Sequence, residues 1–336
     1  MPGVYSLSSV ADYTFEGVLS GTGISVLGAG DIDGGGQADF LIGSIDSSSS
    51  SANISGAVYV FYSENLGAPG VYSVSTADVT LNGESNIYDL AGASLGAGDI
   101  DGDGLPDLLI GAPSEGDTRA DLGGRVYLIY ASTLQGLSLS TMNLESDADL
   151  TFEGLLARDK AGTSVAALSD IDGDGKAEIL LGSTRDDGSD DGTAHLFLSS
   201  SIDLITSTAV SVSESDYTFT RPGESFKVGV EVGNIGDIDG DGLGDFYIAD
   251  VNYYASRSSH GYLMLGNMLG SDTDFDLATA AYILEGDQDA DAFGASFARI
   301  GDINGDGFSE LALGARFHDA GATEGGQVSV FGPCDY

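Results

Sequence analysis

The chain has 336 residues, with 53 Asp and Glu against 11 Lys and Arg, and a formal net charge of −42 at pH 7. Nucleic acid needs a basic surface for its phosphates, so this composition excludes it as a partner, and it excludes anionic membrane surfaces for the same reason. No segment approaches the roughly 18 consecutive apolar residues that a membrane-spanning helix needs, and the single cysteine, Cys334, excludes a disulfide within the chain.

One pattern of short strands and turns recurs five times along the sequence. In the third copy, the alternating strand ADLTFEG (148–154) precedes a strand of small residues, AGTSVAALSD (161–170). An acidic loop then leads into the strand AEILLGS (177–183), and GTAHLFLSS (192–200) ends the copy. Alternation of polar and apolar residues is the period of a β-strand, and no segment of the chain has a long helical period.

The five copies predict a single domain of repeated units. Their acidic loops begin 65 to 71 residues apart, and the units span about 12–71, 72–142, 143–209, 210–272 and 273–334. Four strands per unit, arranged radially, predict an all-β fold: a β-propeller of five four-stranded antiparallel blades. If the strand before each acidic loop is innermost, the first strand of each unit completes the preceding blade. The strand at 12–17 then closes the ring by pairing with the strand at 326–332, which removes both free edges.

The acidic loops have the composition of calcium sites. In the pattern D-x-D-x-D-G-x-x-D, the first, third, fifth and ninth positions supply side-chain oxygens and the seventh supplies a backbone carbonyl. Calcium takes about six to eight hard oxygen ligands, and the glycine after the fifth position lets the chain fold back around the ion. The predicted ligands are Asp31, Asp33, Gln37 and Asp39; Asp99, Asp101, Asp103, Leu105 and Asp107; Asp170, Asp172, Asp174, Lys176 and Glu178; Asp237, Asp239, Asp241, Leu243 and Asp245; and Asp302, Asn304, Asp306, Phe308 and Glu310.

The five loops differ in their ligand sets. In the loop at 31–39, Gly35 replaces the ligand at the fifth position, so we expect this loop to bind Ca²⁺ more weakly than the other four. Glutamate closes the loops at 170–178 and 302–310, and Asn304 keeps an oxygen ligand with one charge fewer.

The sequence resembles the FG-GAP repeats of integrin α-subunit propellers and their bacterial relatives. The resemblance rests on the Phe-Gly pair at 293–294 ahead of an inner strand, on Gly-Ala-Pro at 111–113 after an acidic loop, and on the loop itself. It covers about residues 12 to 332. The resemblance implies a calcium-stiffened propeller with its ions in strand-to-strand hairpins on one face. That family usually has more repeats than the five found here, and no ligand-binding residue of the integrins is carried over.

A catalytic role is not expected. The segment at 92–96 matches the nucleophile-elbow pattern G-x-S-x-G. However, other units also carry serine on the same strand, and an acidic loop follows it instead of a helix, so the serine belongs to the repeat. One departure from the repeat, Glu231 in place of Ser or Ala on an inner strand, marks a candidate binding surface.

These observations predict an extracellular or cell-surface calcium-binding propeller that serves adhesion, assembly or protein–protein interaction, with Ca²⁺ as a structural staple. A carbohydrate-binding, lectin-like propeller is the alternative, and a glycan-active enzyme module is a third. The partner is expected to be a protein, a glycan or a second copy of the chain. No secretion signal is visible at the N-terminus, and Asn53 lies in a glycosylation sequon.

Overall fold

The computed structural model describes residues 11–18, 21–45, 55–84, 89–113, 123–137, 139–156, 158–184, 192–222, 227–251, 258–289, 291–319 and 325–332. Cys334 and Asn53 lie outside these ranges. No helix within the described ranges is long and apolar enough to cross a bilayer.

Short strands dominate the described residues. In chain order they are β1 (Tyr13–Glu16), β2 (Thr22–Gly30), β3 (Asp39–Ser44), β4 (Ala57–Phe61), β5 (Gly70–Ser73), β6 (Val79–Asn82), β7 (Ser94–Gly98), β8 (Asp107–Ala112), β9 (Arg125–Ile129), β10 (Ser140–Asn143), β11 (Leu150–Glu153), β12 (Ala161–Leu168), β13 (Glu178–Ser183), β14 (Thr193–Phe197), β15 (Ala209–Ser211), β16 (Tyr217–Thr220), β17 (Lys227–Gly236), β18 (Asp245–Val251), β19 (His260–Met264), β20 (Asp274–Asp276), β21 (Tyr282–Glu285), β22 (Phe293–Gly301), β23 (Glu310–Ala315) and β24 (Gln327–Phe331). Short α-helical turns cover α1 (Ala131–Leu134), α2 (Leu144–Asp147) and α3 (Ser199–Ile202), and 3₁₀ turns cover Ser63–Asn65, Val74–Thr76, Val212–Glu214, Gly266–Met268 and Leu277–Thr279.

The strands form five antiparallel blades, which confirms the predicted all-β propeller. From the inside outward, blade 1 is β2-β3-β4-β6, blade 2 is β7-β8-β9-β11, blade 3 is β12-β13-β14-β16, blade 4 is β17-β18-β19-β21 and blade 5 is β22-β23-β24. Blades 1 to 3 each gain a fifth, parallel strand at the rim, namely β10, β15 and β20. The sequence analysis missed these rim strands because each is only three or four residues long.

The first strand of each unit is the outer strand of the preceding blade, as predicted. β6, β11, β16 and β21 pair antiparallel with the third strands of blades 1 to 4. A buried or half-buried aspartate before three of these outer strands fixes the pairing, because its carboxylate accepts the backbone N–H that follows the third strand. These bonds join Asp78 to Tyr62, Asp149 to Tyr130 and Asp216 to Leu198, each at 2.8 Å.

Apolar side chains fill the space between neighbouring blades. The second strands of blades 2 and 3 are buried along their whole length, so they carry continuous apolar residues instead of a one-sided alternation. Between blades 1 and 2, Val58 and Val60 pack with Leu108 and Ile110. Each blade therefore depends on its neighbours for its core.

The predicted closure of the ring by the strand at 12–17 is wrong. In the described residues β1 pairs in parallel with β5, and blade 5 has three strands, without β1 beside β24. Phe15 of β1 packs instead on Phe40 and Phe61 of blade 1, with ring centroids 5.1 and 4.7 Å apart. This packing holds β1 on blade 1, while the inner strand of the same blade leaves Val26 exposed at the seam where blade 5 would have to join.

Candidate metal centres

The five acidic loops are equivalent hairpins. Each joins the first strand of a blade to its second strand, so all five lie at the same end of the blades. The loop at 99–107 connects β7 to β8 and is representative. Gly102 and Gly104 have φ angles of 81° and 91°, in the left-handed region that favours glycine. Their N–H groups donate to the two carboxylate oxygens of Asp99 at 2.7 and 3.0 Å, which fixes the first acidic side chain at the centre of the turn.

The ninth residue of each loop anchors the hairpin from the buried side. Asp107 is fully buried and accepts N–H groups from Ile100 and from Ala131, each at 2.8 Å. The second of these bonds ties the loop to the turn that follows the third strand of the blade. The buried acid at the ninth position accepts the N–H of the second loop residue in the other four loops too, with partners Ile32, Ile171, Ile238 and Ile303.

Burial sets the electrostatics of these closing acids. Desolvation raises the pKa of Asp107 to about 7, of Glu178 to about 8 and of Asp245 to about 6. Desolvation also raises the pKa of Asp39. A carboxylate held away from water beside other carboxylates favours a bound cation or a bound proton, because either reduces the cost of the buried charge.

In every loop, at least three acidic side chains bring one oxygen each into a group whose atoms lie within 4.8 Å of one another. The groups are Asp31, Asp33 and Asp39; Asp99, Asp101 and Asp107; Asp170, Asp172, Asp174 and Glu178; Asp237, Asp239 and Asp245; and Asp302, Asp306 and Glu310. The predicted ligands at the first and ninth positions therefore converge in all five loops. Asn304 and the five backbone carbonyls at the seventh position stay predictions.

Two of the predicted carboxylate ligands lie outside these groups. Asp103 and Asp241, each at the fifth position, turn back and accept the N–H of Leu105 and Leu243, both at 2.8 Å. Asp241 also accepts a 2.6 Å bond from the side-chain amide of Asn267. Asp174 and Asp306 make the same turn bond, to the N–H of Lys176 and Phe308, each at 2.9 Å, and both remain in the groups of their loops.

Unpartnered buried oxygens test whether the loops fit a cation. Asp31 Oδ1, Glu178 Oε1 and Glu310 Oε1 are buried and have no hydrogen-bond partner among the described groups. Leaving such an oxygen unpaired costs about 1–3 kcal/mol or more for a charged group. An ion in the loop would satisfy these atoms, and a set of hard oxygen donors suits Ca²⁺. The residues present therefore fit the predicted cation.

Glu64, which the sequence analysis missed, lies at the incomplete loop. A side chain placed on Gly35 would meet the Glu64 carboxylate at 3.0 Å, so that carboxylate occupies the place of the missing fifth ligand. A hydrogen bond between the Glu64 and Asp33 side chains raises the pKa of Glu64. Two carboxylates in such a contact need a shared proton or a cation between them.

Glu64 is recognised when the turns that follow the third strands of the blades are aligned with one another. The equivalent residue is Ser200 in blade 3 and Asn267 in blade 4, and both reach their own loops. Ser200 Oγ donates to Asp172 at 3.4 Å, and Asn267 donates to Asp239 at 3.0 Å. An acid at this position therefore brings a carboxylate to the loop of blade 1.

The serine of the G-x-S-x-G segment has a structural role. Ser94 Oγ donates to the carbonyl of Gly162 in the next blade at 2.9 Å. The equivalent serines of blades 1 and 3 make the same bond at 2.6 and 2.9 Å. In blade 4, where Glu231 replaces the serine, the hydroxyl of Tyr247 donates to Gly294 O at 3.2 Å instead. The repeated serine is therefore a link between blades.

Two buried acids lie outside the loops. Burial raises the pKa of Glu231 to about 7 and that of Asp89 to about 8. Asp89 is fully buried, accepts the N–H of Glu84 at 2.9 Å and the hydroxyl of Tyr127 at 3.3 Å, and leaves Oδ1 without a partner. Neither acid belongs to the converged groups of the loops.

Comparison with known proteins also identifies FG-GAP repeats in this chain. The FG-GAP repeat pattern matches residues 91–129, 161–197 and 293–331, which are the first three strands of blades 2, 3 and 5. The chain is 31% identical over 163 residues to the phosphatidylinositol-glycan-specific phospholipase D of Mus musculus, covering 47% of this chain and 18% of that protein. It is 30% identical over 194 residues to integrin alpha-3 of Cricetulus griseus and 28% identical over 172 residues to integrin alpha-7 of Rattus norvegicus. These matches cover 55% and 51% of this chain.

The matched regions span less than a fifth of each relative, with 17% of integrin alpha-3 and 13% of integrin alpha-7. The matched repeats form the first three strands and the acidic hairpins of blades 2, 3 and 5. The chain therefore contains FG-GAP repeats and is similar, over part of its length, to integrin alpha subunits.

Proposed function

We propose that the chain is an extracellular calcium-binding propeller for protein–protein interaction, in which Ca²⁺ acts as a structural staple. The observation that carries the proposal is the convergence of at least three acidic side chains in each of five equivalent hairpins. One such hairpin resembles many solvated acidic turns. Five equivalent hairpins, each with a buried closing acid, favour repeated metal sites over solvated turns.

The proposed ion would stabilise a hairpin from both sides. The acids near the start of each loop belong to the turn and are half-buried or exposed, whereas the acid at the ninth position is buried at the start of the second strand. An ion bound between them would join the turn to the strand and neutralise carboxylates that otherwise repel one another. No described group beside the ion suggests chemistry on a substrate, so its proposed role is structural.

The same chemistry supports the proposed extracellular location. Loops of this kind in extracellular modules bind Ca²⁺ with dissociation constants of about 0.1–1 mM. Such sites fill only where Ca²⁺ is plentiful, as it is outside cells. The matched integrin alpha chains support a role in protein interaction. The matched phospholipase D is named as an enzyme, but the match covers 18% of it, and we propose no catalytic activity for this chain.

Calorimetric titration of the metal-free protein with Ca²⁺ tests the proposal. We expect binding of up to five ions in the submillimolar to millimolar range, together with a higher melting temperature. Added NaCl should restore part of the stability lost in EDTA, because salt screens the repulsion between the loop carboxylates. Mg²⁺ should rescue poorly, because it demands a smaller octahedral shell and holds its waters. Identical melting curves in EDTA, Mg²⁺ and Ca²⁺ would show that the loops are solvated turns.

A further inference from the structure

The acidic loops of neighbouring blades are joined by backbone hydrogen bonds. In blade 3, the N–H of Ala177 donates to the backbone carbonyl of Asp99 in blade 2 at 2.8 Å. In blade 4, the N–H of Gly244 donates in the same way to the carbonyl of Asp170 in blade 3 at 2.6 Å. Each bond joins the eighth residue of one loop to the first residue of the loop before it. The loops of blades 2, 3 and 4 therefore form one hydrogen-bonded row.

Each of these bonds lies between two proposed ligands. Asp99 belongs to the converged group of its own loop, and its carboxylate accepts the N–H groups of Gly102 and Gly104. Ala177 directly precedes Glu178, the buried closing acid of the next loop. An ion that orders the first residue of one loop would therefore also order the acceptor that the next loop uses, and with it the residue beside that loop's closing acid.

A side-chain contact accompanies the hydrogen bond in both places. The residue at the seventh position of the loop lies over the glycine at the fourth position of the loop before it. A side chain placed on Gly102 would meet Lys176 Cε at 3.1 Å, and one placed on Gly173 would meet Leu243 Cδ2 at 4.0 Å. Glycine at the fourth position therefore leaves room for the side chain of the neighbouring loop.

The loops of blades 1 and 5 do not take part in this row. The loop of blade 2 carries Pro106 at its eighth position, and proline has no N–H to donate to the loop of blade 1. Only the side-chain contact remains there, since a side chain on Gly34 would meet Leu105 Cδ1 at 3.9 Å. Among the described backbone groups, no such bond joins Ser309 of blade 5 to Asp237 of blade 4. The hydrogen-bonded row thus ends at blades 2 and 4.

We propose that Ca²⁺ binding is positively coupled among the loops of blades 2, 3 and 4, whereas the loops of blades 1 and 5 bind Ca²⁺ independently of that row. This inference rests on the proposed function, because it concerns the same sites. An ion in one loop fixes the carbonyl that the next loop uses, so the second ion binds to a hairpin that is already partly ordered. The coupling is reciprocal, because linkage requires each site to change its neighbour's affinity by the same factor.

Hydrogen exchange of the loop amides, followed by mass spectrometry across a Ca²⁺ titration, measures a separate midpoint for each loop. Asp101→Asn removes a charged ligand from the loop of blade 2. We expect it to shift the midpoint of the blade 3 loop as well, by about fivefold to higher Ca²⁺, which is the lower end of typical couplings. The midpoint of the blade 1 loop should stay unchanged, because Pro106 donates no N–H to it. Titration in 0.15 M NaCl screens the opposite, long-range effect of the charge of each bound ion.

Ala177→Pro breaks the link between blades 2 and 3 without removing a ligand side chain. Proline removes the N–H that donates to the preceding loop, and the loop of blade 2 already carries proline at this position. The surroundings of the ring are matched too, since Gly30 lies beside Pro106 as Gly98 lies beside Ala177. In this background we expect Asp101→Asn to shift the midpoint of its own loop and to leave the midpoint of the blade 3 loop unchanged.

Pro106→Ala supplies the donor that the loop of blade 2 lacks and is the opposite variant. With an N–H at this position, the loop can donate to the carbonyl of Asp31, as Ala177 does to that of Asp99. We expect Asp101→Asn to shift the midpoint of the blade 1 loop in this background, although it has no such effect in the unsubstituted chain. The variant introduces no proline, so it tests the coupling even if Ala177→Pro fails to fold.

The outcomes separate the coupling from calcium binding itself. If Asp101→Asn leaves the blade 3 loop unchanged while every loop still gains protection with Ca²⁺, the sites are independent, and the coupling is refuted although the proposed function stands. A shift that persists in Ala177→Pro, or an unchanged blade 1 loop in Pro106→Ala, would refute the hydrogen bond as the link. Protection that does not depend on Ca²⁺ in any of the five loops would refute the proposed function, and the coupling with it.

Discussion

Replacing Asp101 by Asn should change stability in opposite directions with and without Ca²⁺. Asp101 belongs to the converged group of its loop, with Asp99 and Asp107. Asn keeps the side-chain oxygen that accepts the N–H of Asp103 at 3.0 Å, so the turn itself is preserved. The substitution removes one charge from a cluster of carboxylates, and it also removes a charged ligand from the proposed ion.

The magnitudes follow from the distances and from mass action. In EDTA, carboxylate oxygens up to 4.8 Å apart repel by about 1 kcal/mol per pair in a hydrated site, so the variant gains roughly 1–2 kcal/mol. In about 10 mM Ca²⁺, a site with a dissociation constant of ~0.1 mM stabilises the chain by about 2.7 kcal/mol. If the variant binds about 100-fold more weakly, it keeps only ~0.4 kcal/mol of this. Set against its gain of roughly 1–2 kcal/mol in the metal-free state, the net loss in Ca²⁺ is about 0.3–1.3 kcal/mol. For cooperative unfolding of the whole chain, that is at most about 2 °C in melting temperature.

Thermal melting of the two proteins in EDTA and in Ca²⁺ measures both effects. Asp103→Asn is the matched control, since it removes the same charge from the same loop but from a carboxylate outside the converged group. We expect its effects to be less than half as large under both conditions. The reasoning is refuted if Asp101→Asn shifts the melting temperature in the same direction with and without Ca²⁺, or if both substitutions behave alike.

Three further substitutions test other parts of the structure. Glu64→Gln should weaken Ca²⁺ binding at the loop of blade 1 by about tenfold, since it removes the charge that replaces the missing fifth ligand; an unchanged titration of that site would contradict this role. Tyr247→Phe should lower the free energy of unfolding in urea by about 1 kcal/mol, because the carbonyl of Gly294 loses its 3.2 Å bond; no change would show that the bond contributes nothing. Burial raises the pKa of Asp89 from 3.8 to about 8, so the folded chain holds a proton that the unfolded chain releases, and stability falls as pH rises through that window. Asp89→Asn should therefore show a smaller decline than the unsubstituted protein from about pH 5 to 8 in saturating Ca²⁺, and parallel curves would refute that assignment.

The sequence predicts the blades well because their determinants are local. Alternation of polar and apolar residues is set within one strand, and the acidic hairpin repeats at a near-constant distance along the chain. The assignment of outer strands also follows from order alone, as the pairing of β4 with β6 shows. Closure is different, because it depends on how blades stack through contacts such as Phe15 on Phe40. No local pattern encodes the resulting curvature.

The candidate sites show the same division between local and distant determinants. The first and ninth positions converge because a glycine-bent turn brings them together within nine residues. Glu64 approaches the loop of blade 1 from the turn after β4, on a different hairpin. Only the structural alignment with Ser200 and Asn267 relates it to the loop. The fifth positions of blades 2 and 4 also depart from the pattern, since Asp103 and Asp241 lie outside the converged groups of their loops.

Charge connects the acidic loops with the stability of the whole chain. A net charge of −42 destabilises the compact chain through self-repulsion. Five bound Ca²⁺ ions would add ten positive charges and reduce the net charge to −32. Ca²⁺ would therefore stabilise the fold in two ways, by joining the turn of each hairpin to its strand and by lowering the repulsion among the carboxylates of the chain.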